Sequence, residues 1–274
     1  MTYIELLKRI DTLAPLPQTL LEIEEFKKTS NFESSDLSKI IEQDPIMVST
    51  ILKTANSAMF GFASKVDTLS RAISLLGVNF SISIALGTGI KQALNSDLNA
   101  YGGNTDTFLR LANMQSNFIN LWVGKIDLDL KNELILPAFL QESGKLLINS
   151  ALVDEQKENE FMEEVKADFK NINAIEKKFV GMSTAEVTSA IFKHWNLTQN
   201  IINSIKFSDD PAKAMPQIQK QAQILHVSKI VCNIINPLEN ESVELGLQKA
   251  VEFGFDPRFF EAAIAKMQER MLDE

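Results

Sequence analysis

The amino-acid sequence predicts an all-α protein, built from two closely packed helical halves. Apolar residues recur at three- and four-residue spacing along almost the whole chain, and no convincing run alternates as a strand would. Glycine is scarce, with 11 residues in 274. Turn-forming residues concentrate in one stretch, 95–106, which we interpret as a linker. The predicted halves are residues 1–98 and 106–274, and together they should form one unit.

Local signals place the helices of the first half. A stripe of apolar residues begins just after Pro17, and a polar turn at 29–35 follows it. Asp44 before Pro45 indicates an N-cap followed by proline at the first helical position. Asp67-Thr68 starts a further short helix, which Gly77 ends. A longer apolar helix should then cover about 80–94.

The second half reads as a continuing series of helices. Ser183 and Glu186 match the capping box, in which two side chains satisfy free backbone donors at a helix start. Pro137 should lie near the start of its helix or at a kink. The charge-rich segment 155–178 has the pattern of one surface helix with a single buried face. The helices from Ser242 onward look like an appended element. The predicted helices cover about 108–125, 131–152, 155–178, 187–195, 199–207, 216–236, 242–253 and 256–272.

Composition narrows the class of function. The net charge of −9 repels phosphate backbones, so nucleic acid is not an expected ligand. The single cysteine, Cys232, cannot form an internal disulfide and lies in an apolar run, which suits a reducing compartment. No stretch is apolar enough over about 18 residues to cross a bilayer, and the N-terminus has no signal-peptide pattern. We therefore expect a cytoplasmic location and no membrane partner.

Residues suited to catalysis are few. Only two histidines occur, His194 and His226, and they lie on different predicted helices. A metal site usually draws several imidazole, thiolate or carboxylate ligands together, so packing roles are expected for both. The nucleophile pattern Gly-x-Ser-x-Gly is absent, and 86–89 lacks the Gly-Lys-Ser/Thr ending of a phosphate loop. The residues alone thus predict a globular helical protein without a recognisable group of catalytic residues.

Several motifs in the first half nevertheless form a recognisable series. They are Ala14-Pro15-Leu16-Pro17, Ile40-Ile41-Glu42-Gln43-Asp44-Pro45, Ile51 to Gly61, Lys65-Val66 and Leu75-Leu76-Gly77. Their order and spacing resemble the N-terminal signature of HDOD domains, which are bacterial relatives of the HD-domain phosphohydrolases. The resemblance implies an HD-like multi-helix fold. The signature residues are expected to be structural: Pro17, Asp44, Pro45, Asn56, Ser57, Gly61 and Gly77. Asn56 is expected to be a buried amide that holds its turn to neighbouring helices.

The resemblance also implies where a metal would bind. In the HD enzymes a histidine, a His-Asp pair and a later aspartate hold the metal. Here those positions fall near Gln115, on Gln141-Glu142 and near Lys229. A histidine pair found in many HDOD sequences falls on Ser208-Asp209. Amides are poor substitutes for imidazole and an ammonium opposes a divalent ion, so neither a metal nor another cofactor is expected.

The resemblance implies a part in bacterial signal transduction, often linked to motility, nucleotide second messengers or stress. The leading hypothesis is a non-enzymatic regulatory module that binds a protein partner. Two alternatives remain: a residual phosphohydrolase with a metal near Glu142, and a sensor whose former catalytic pocket binds a nucleotide or other small molecule. The polar residues around Gln115 could also serve only to hydrogen-bond helices together.

Overall fold

The computed structural model describes residues 2–27 and 34–272. Within these ranges the chain forms sixteen α-helices and four short 3₁₀-helices, and no strand. The α-helices are α1 (Tyr3–Asp11), α2 (Gln18–Phe26), α3 (Ser34–Ile41), α4 (Pro45–Ala55), α5 (Leu69–Leu76), α6 (Val78–Leu94), α7 (Thr107–Trp122), α8 (Leu128–Leu140), α9 (Gly144–Asp154), α10 (Glu158–Ala167), α11 (Ile172–Val180), α12 (Thr184–His194), α13 (Gln199–Lys206), α14 (Pro216–Val231), α15 (Asn240–Glu252) and α16 (Pro257–Met271). The 3₁₀-helices are Asn99–Tyr101, Val123–Lys125, Phe169–Asn171 and Pro211–Lys213. The all-α prediction is confirmed.

Most predicted helix starts occur where the capping residues placed them. Asp44 Oδ1 accepts hydrogen bonds from the backbone N–H groups of Ile46 at 2.8 Å and Met47 at 3.2 Å. Both halves of the predicted capping box at Ser183 and Glu186 are present. These bonds satisfy donors that the first turn of a helix leaves free, which is why a local pattern can fix where a helix begins.

Three segments differ from the prediction. Helix α1 was not predicted, although a capping box between Thr2 and Glu5 starts it. The predicted helix 131–152 is two helices, α8 and α9, separated at 141–143, and Pro137 lies inside α8. The predicted surface helix 155–178 is also two helices, with a 3₁₀ turn between α10 and α11. Apolar spacing continues across both breaks, so periodicity alone could not reveal them.

The stretch 95–106 connects the halves, and its central residues are packed into the protein. Leu98 and Ala100 are fully buried and Tyr101 is 2% exposed. Asn149 Oδ1 accepts a hydrogen bond from the backbone N–H of Ala100 at 2.7 Å. One apolar core includes residues on both sides of this stretch. Most of the predicted polar turn 29–35 lies outside the described residues.

The helices beyond Ser242 are integrated into this core. Phe260 of α16 packs edge-on against Phe118 and Trp122 of α7, with ring centroids 5.5 and 5.8 Å away. Arg270 Nη1 donates a hydrogen bond to the backbone oxygen of Met59 at 2.7 Å, across 211 residues of sequence. The helices from Ser242 onward therefore pack on the body of the protein, and α16 closes it against its first half.

No single helix in the described ranges has both the length and the apolar composition to cross a membrane. The bent pair α5 and α6 passes that test only when its two helices are taken together.

Candidate functional site

The break between α8 and α9 forms the centre of the candidate site. At Gly144 an added Cβ would lie 2.6 Å from the backbone oxygen of Thr184. Glycine is therefore required for α9 to begin against α12. The backbone N–H of Gly144 donates to Thr188 Oγ1 at 2.9 Å, and that hydroxyl lies 3.0 Å from the Gln141 backbone oxygen. This close contact fixes the direction in which Gln141 and Glu142 enter the interior.

Two glutamine amides occupy positions where histidines would stand. Gln141 Nε2 donates to Gln115 Oε1 at 2.8 Å and to Ser228 Oγ at 3.0 Å. Gln115 Nε2 donates to Glu142 Oε1 at 3.3 Å and to the Cys232 backbone oxygen at 3.1 Å. Both glutamine side chains are fully buried. Their nitrogen atoms point at acceptors inside the protein and cannot serve as metal ligands in this arrangement.

Beside the amides lies a buried charge cluster, which we define as Glu142, Lys145, Glu176, Asp209 and Lys229. Lys145 Nζ lies 3.2 Å from Glu142 Oε2 and 2.8 Å from Glu176 Oε1. Lys229 pairs with Asp209. Glu142, Lys145 and Glu176 are almost completely buried, so each ammonium here neutralises charge that water does not reach.

Glu176 is the most extensively bonded member of this cluster. It accepts hydrogen bonds from the Tyr101 hydroxyl at 2.9 Å and from the backbone N–H and hydroxyl of Thr184, each at 2.6 Å. Lys145 also donates to Thr184 Oγ1 at 3.1 Å. Burial and the Glu176 carboxylate raise the pKa of Tyr101 well above its usual value, which keeps the phenol protonated as a donor.

The charged forms of the cluster stabilise one another. Burial alone would raise the pKa of Glu142, but the Lys145 and Lys229 ammonium groups lower it below its ordinary value. Burial likewise opposes ionisation of Asp209, and Lys229 outweighs that effect and lowers its pKa. Burial would lower the pKa of Lys145 and of Lys229, and the neighbouring carboxylates raise both instead. At neutral pH the site is a set of ion pairs.

These residues do not fit the metal that the fold family implies. The positions of its ligands hold two hydrogen-bonded amides, one carboxylate already paired with lysine, and an ammonium. In the described ranges no group of three or more histidine, cysteine, aspartate or glutamate side chains is placed to hold a metal ion. The lysine ammonium provides the positive charge that a metal ion would otherwise provide at this site, and it repels a metal ion.

The remaining polar candidates have packing partners. His226 Nδ1 donates to the Ser208 backbone oxygen at 2.7 Å, and burial lowers the pKa of His226, so the ring is neutral. His194 Nε2 lies 3.2 Å from the Leu13 backbone oxygen. Cys232 is fully buried, which raises the pKa of its thiol above the usual value and makes it unreactive.

A cavity of about 410 Å³ lies over the charge cluster, and four of the five cluster residues form its floor. Glu142, Lys145, Asp209 and Lys229 line it together with His226. Its walls come from the 3₁₀ turn after α10, from α11, from the C-terminal half of α14 with the residues that follow, and from α15. The apolar wall residues are Phe169, Ile172, Ile230, Ile234 and Leu245. The region where the resemblance places a metal is thus an accessible pocket with apolar walls and with ion pairs at its base.

The signature residues of the first half lie elsewhere. Asn56 ends α4, and its amide donates to the backbone oxygens of Leu52 at 2.8 Å and Val66 at 2.7 Å. The backbone N–H of Val66 donates in return to Asn56 Oδ1 at 2.8 Å. We call this pair of bonds between residues 56 and 66 the Asn56 clip. The asparagine is exposed, so the expectation of a buried amide between helices is wrong.

Two signature glycines have backbone conformations that favour glycine. Gly61 has φ +59° and Gly77 has φ +87°. Ser57 Oγ donates to the Thr54 backbone oxygen at 2.8 Å, which closes the end of the same helix. Each signature residue thus has a role in turning or capping the backbone.

The structure brings together every position that the resemblance assigned to the metal site. Glu142, Asp209 and Lys229 line one cavity, and behind them Gln115 bonds to both Glu142 and Gln141. The fully buried Ser208 lies next to Asp209. Sequence reasoning missed Lys145, Glu176, Tyr101 and Thr184. Lys145 follows Glu142 by three residues in the sequence, but nothing in the charge-rich segment around Glu176 indicated a fully buried carboxylate.

Comparisons with known proteins agree with this architecture. The family model described as HDOD domain matches residues 13–211. An uncharacterised protein of Treponema pallidum is 26% identical over 205 residues, which are 73% of this chain and 38% of that protein. The chain therefore spans well under half the length of that relative.

Two solved structures share the fold. A virulence factor from Campylobacter jejuni is 25% identical, with a TM-score of 0.58 and coverage of 97% of this chain and 99% of that one. A protein from Shewanella amazonensis, provisionally named a phosphohydrolase, is 20% identical with a TM-score of 0.66, and 97% of each chain is covered. From the extent of the family match, the chain belongs to the HDOD family.

Proposed function

We propose that this protein is a non-catalytic regulatory module of bacterial signal transduction, which acts in the cytoplasm by binding a protein partner. The observation that carries the proposal is the ion pair between Lys229 and Asp209, together with the hydrogen-bonded amides of Gln115 and Gln141. An HD enzyme needs a metal to activate water and to stabilise charge on the phosphoryl group. Here protein side chains satisfy one another at those positions.

The packing of the two halves also supports a binding role. One core includes both halves, and the α8–α9 break that would carry catalytic ligands is fixed by the contact at Gly144. A rigid body of this kind suits the presentation of a surface better than a site that must open and close around a substrate.

Metal content and turnover test the proposal directly. The full chain is purified without chelators, analysed for iron, manganese, zinc and magnesium, and assayed with p-nitrophenyl phosphate in the presence of each metal. We expect less than stoichiometric metal and no turnover above that of the Glu142→Gln variant. One equivalent of a transition metal that is lost in Glu142→Gln, or turnover that is lost with it, would reject the non-catalytic assignment.

The partner-binding part has its own test. In a deletion strain of the native bacterium, Glu142→Gln should complement as fully as the unchanged protein, because no chemistry depends on that carboxylate. Charge reversals on one exposed face should abolish complementation while leaving the melting temperature unchanged. Loss of complementation by a folded, normally expressed Glu142→Gln protein would show that the function depends on the pocket around Glu142.

A further inference from the structure

The cavity over the charge cluster has a lining whose charges do not balance. Four lysines line it against two carboxylates. Two of those lysines pair with the two carboxylates in the buried floor, and Glu176 lies behind that floor among its own donors. The other two, Lys170 and Lys249, have no carboxylate partner among the lining residues. The lining therefore has two positive charges in excess, both on its outer wall.

The two outer lysines are available to a ligand. Lys170 Nζ lies 2.5 Å from Glu241 Oε1, and Lys249 Nζ lies 2.8 Å from Glu252 Oε2. Both glutamate side chains are more than half exposed, and neither lines the cavity. Exposed ion pairs of this kind contribute little to stability, because water screens both charges. An anionic group inside the cavity can therefore take either lysine from its glutamate at little cost.

Helix α11 begins at the same cavity. Its N-cap residue Asn171 and the first two helical residues, Ile172 and Asn173, all line the cavity. The N-cap side chain makes no capping hydrogen bond, and the first turn contains no acidic residue. The dipole and the uncapped N–H groups of this turn therefore place partial positive charge on the wall that carries Lys170. This contribution does not depend on how the lysines are paired.

The apolar walls define the rest of the ligand. Five apolar residues line the cavity, and its volume of about 410 Å³ is typical of a small-molecule site. One of them, Leu245, lies one helical turn from both Glu241 and Lys249 on the same face of α15. Because Glu241 holds Lys170, the two outer lysines flank an apolar wall. A ligand that uses both features has an apolar body and an anionic head group.

We propose that the cavity binds a small organic anion, with a carboxylate or phosphate head group among Lys170, Lys249 and the start of α11. The apolar body of the ligand packs between α11 and α15, against Leu245. This inference deepens the proposed regulatory role and rests on it, since the ligand is bound as an effector and is not turned over. The lysines that hold the anion also repel organic cations.

Probes with one ring and different head groups separate the charge requirement from apolar binding. Benzoate and phenyl phosphate are anionic, benzamide is neutral and benzamidine is cationic. Saturation-transfer NMR with the full chain at neutral pH should show preferred binding of benzoate or phenyl phosphate, and the better of the two identifies the head group. Inorganic phosphate at the same concentration should not displace it, because it lacks the apolar body. Preference for benzamide or benzamidine, equal binding of all four probes, binding of none, or displacement by inorganic phosphate would overturn the proposal.

A matched pair of variants locates the bound probe. Leu245 lines the cavity and is half-buried, whereas Val251 on the same helix is exposed outside it. Leu245→Trp should weaken binding of the preferred anion by about tenfold or more, because a larger ring fills part of a pocket of this size. Val251→Trp should leave it unchanged. Both variants must retain the native helical circular dichroism.

Charge variants test the head-group site separately, and they change side chains that are partly exposed. The double variant Lys170→Gln, Lys249→Gln should reduce the preference for the anion over benzamide by about tenfold. Lys53→Gln is the control, since Lys53 is an exposed, ion-paired lysine outside the cavity, and it should leave that preference unchanged. An unchanged preference in the double variant would sink the proposal. Metal content and p-nitrophenyl phosphate turnover, measured on the same preparations, report on the regulatory role independently, so the two ideas fail by different results.

Discussion

The Asn56 clip and the buried charge cluster both rest on polar side chains, but they stabilise the protein in different ways. In the clip one exposed amide bonds to backbone groups no more than 10 residues away. In the cluster Lys145 bonds to a carboxylate 31 residues away, and Lys229 pairs with a carboxylate 20 residues away. The clip completes a local turn, whereas the cluster ties distant helices together.

This difference between the clip and the cluster indicates where a substitution should destabilise the protein most. Water can replace part of what the exposed clip loses, since its amide lies at the surface. In the cluster a lost partner leaves a charge in the interior, where no solvent compensates it. If this comparison is right, stability should depend far more on the cluster than on the clip that carries the family signature.

The largest expected effect is that of Lys145→Met. Methionine leaves Glu142 and Glu176 buried without their shared cation, which should cost about 3–5 kcal/mol in urea unfolding. Lys53→Met is the matched control, because Lys53 pairs with Asp106 where both side chains are exposed, at 72% and 68%. That exposed pair should contribute about 1 kcal/mol or less. Similar losses in the two variants would show that burial does not separate the pairs.

Acid should also reduce the stability that the cluster provides, but by less than Lys145→Met does. A protonated carboxyl is neutral, so its burial costs less than the burial of an unpaired charge. The pKa values of Glu142 and Asp209 are lowered on folding, from ordinary values of 4.5 and 3.8. The two carboxylates therefore stabilise the folded protein fully when the pH is above their ordinary pKa values. This stabilisation is lost as the pH falls through their lower native pKa values. Urea midpoints measured from pH 7 downward should decrease there, and Glu142→Gln should decrease less steeply.

Gly144→Ala tests the backbone that supports the cluster. The added methyl group would meet the Thr184 backbone at 2.6 Å, so α9 and α12 must separate. We expect a loss of about 1–3 kcal/mol, as is usual for overpacking. Gly124→Ala is the control, since its methyl group would meet only the flexible Lys131 side chain at 3.3 Å. A melting temperature unchanged by Gly144→Ala would mean that the contact at the break is not constrained.

Asn56→Ala measures the clip itself. It removes the bonds to Leu52 and Val66 at the end of α4, and we expect a loss of about 1–2 kcal/mol because the site is exposed. A loss as large as that of Lys145→Met would overturn the comparison between the two regions. Asn56→Asp retains the acceptor for the Val66 N–H and should recover part of the loss.

The smallest effect should come from a single helix cap. Asp44→Ala removes the acceptor for the N–H groups of Ile46 and Met47, at a cost of about 1 kcal/mol. Asp44→Ser keeps a capping oxygen and should behave almost like the unchanged protein. A urea midpoint that does not move in Asp44→Ala would show that solvent caps α4 equally well.

A structural feature could be predicted when the residues that produce it lie close together in the sequence. Asp44, Ser183 and Asp256 are N-caps whose partners are two or three residues away, so the sequence contains the whole interaction. The positions around Gln141 could be assigned through the family resemblance. Their partners could not, because the pairing of Lys145 with Glu176 depends on how α9 and α11 meet. Glu176 lies among charged neighbours, and only the tertiary fold distinguishes it from an exposed residue.

The bond from Arg270 to the Met59 backbone has a consequence for synthesis of the chain on the ribosome. Met59 is made early, yet the donor for its oxygen is made 211 residues later. The signature loop can form its local turns while the chain emerges, but it cannot acquire this partner until α16 has left the exit tunnel. Folding of this region therefore includes a step that cannot take place until α16 has been translated. The loop around Met59 is thus made before α16 but reaches its final hydrogen bonding only after it.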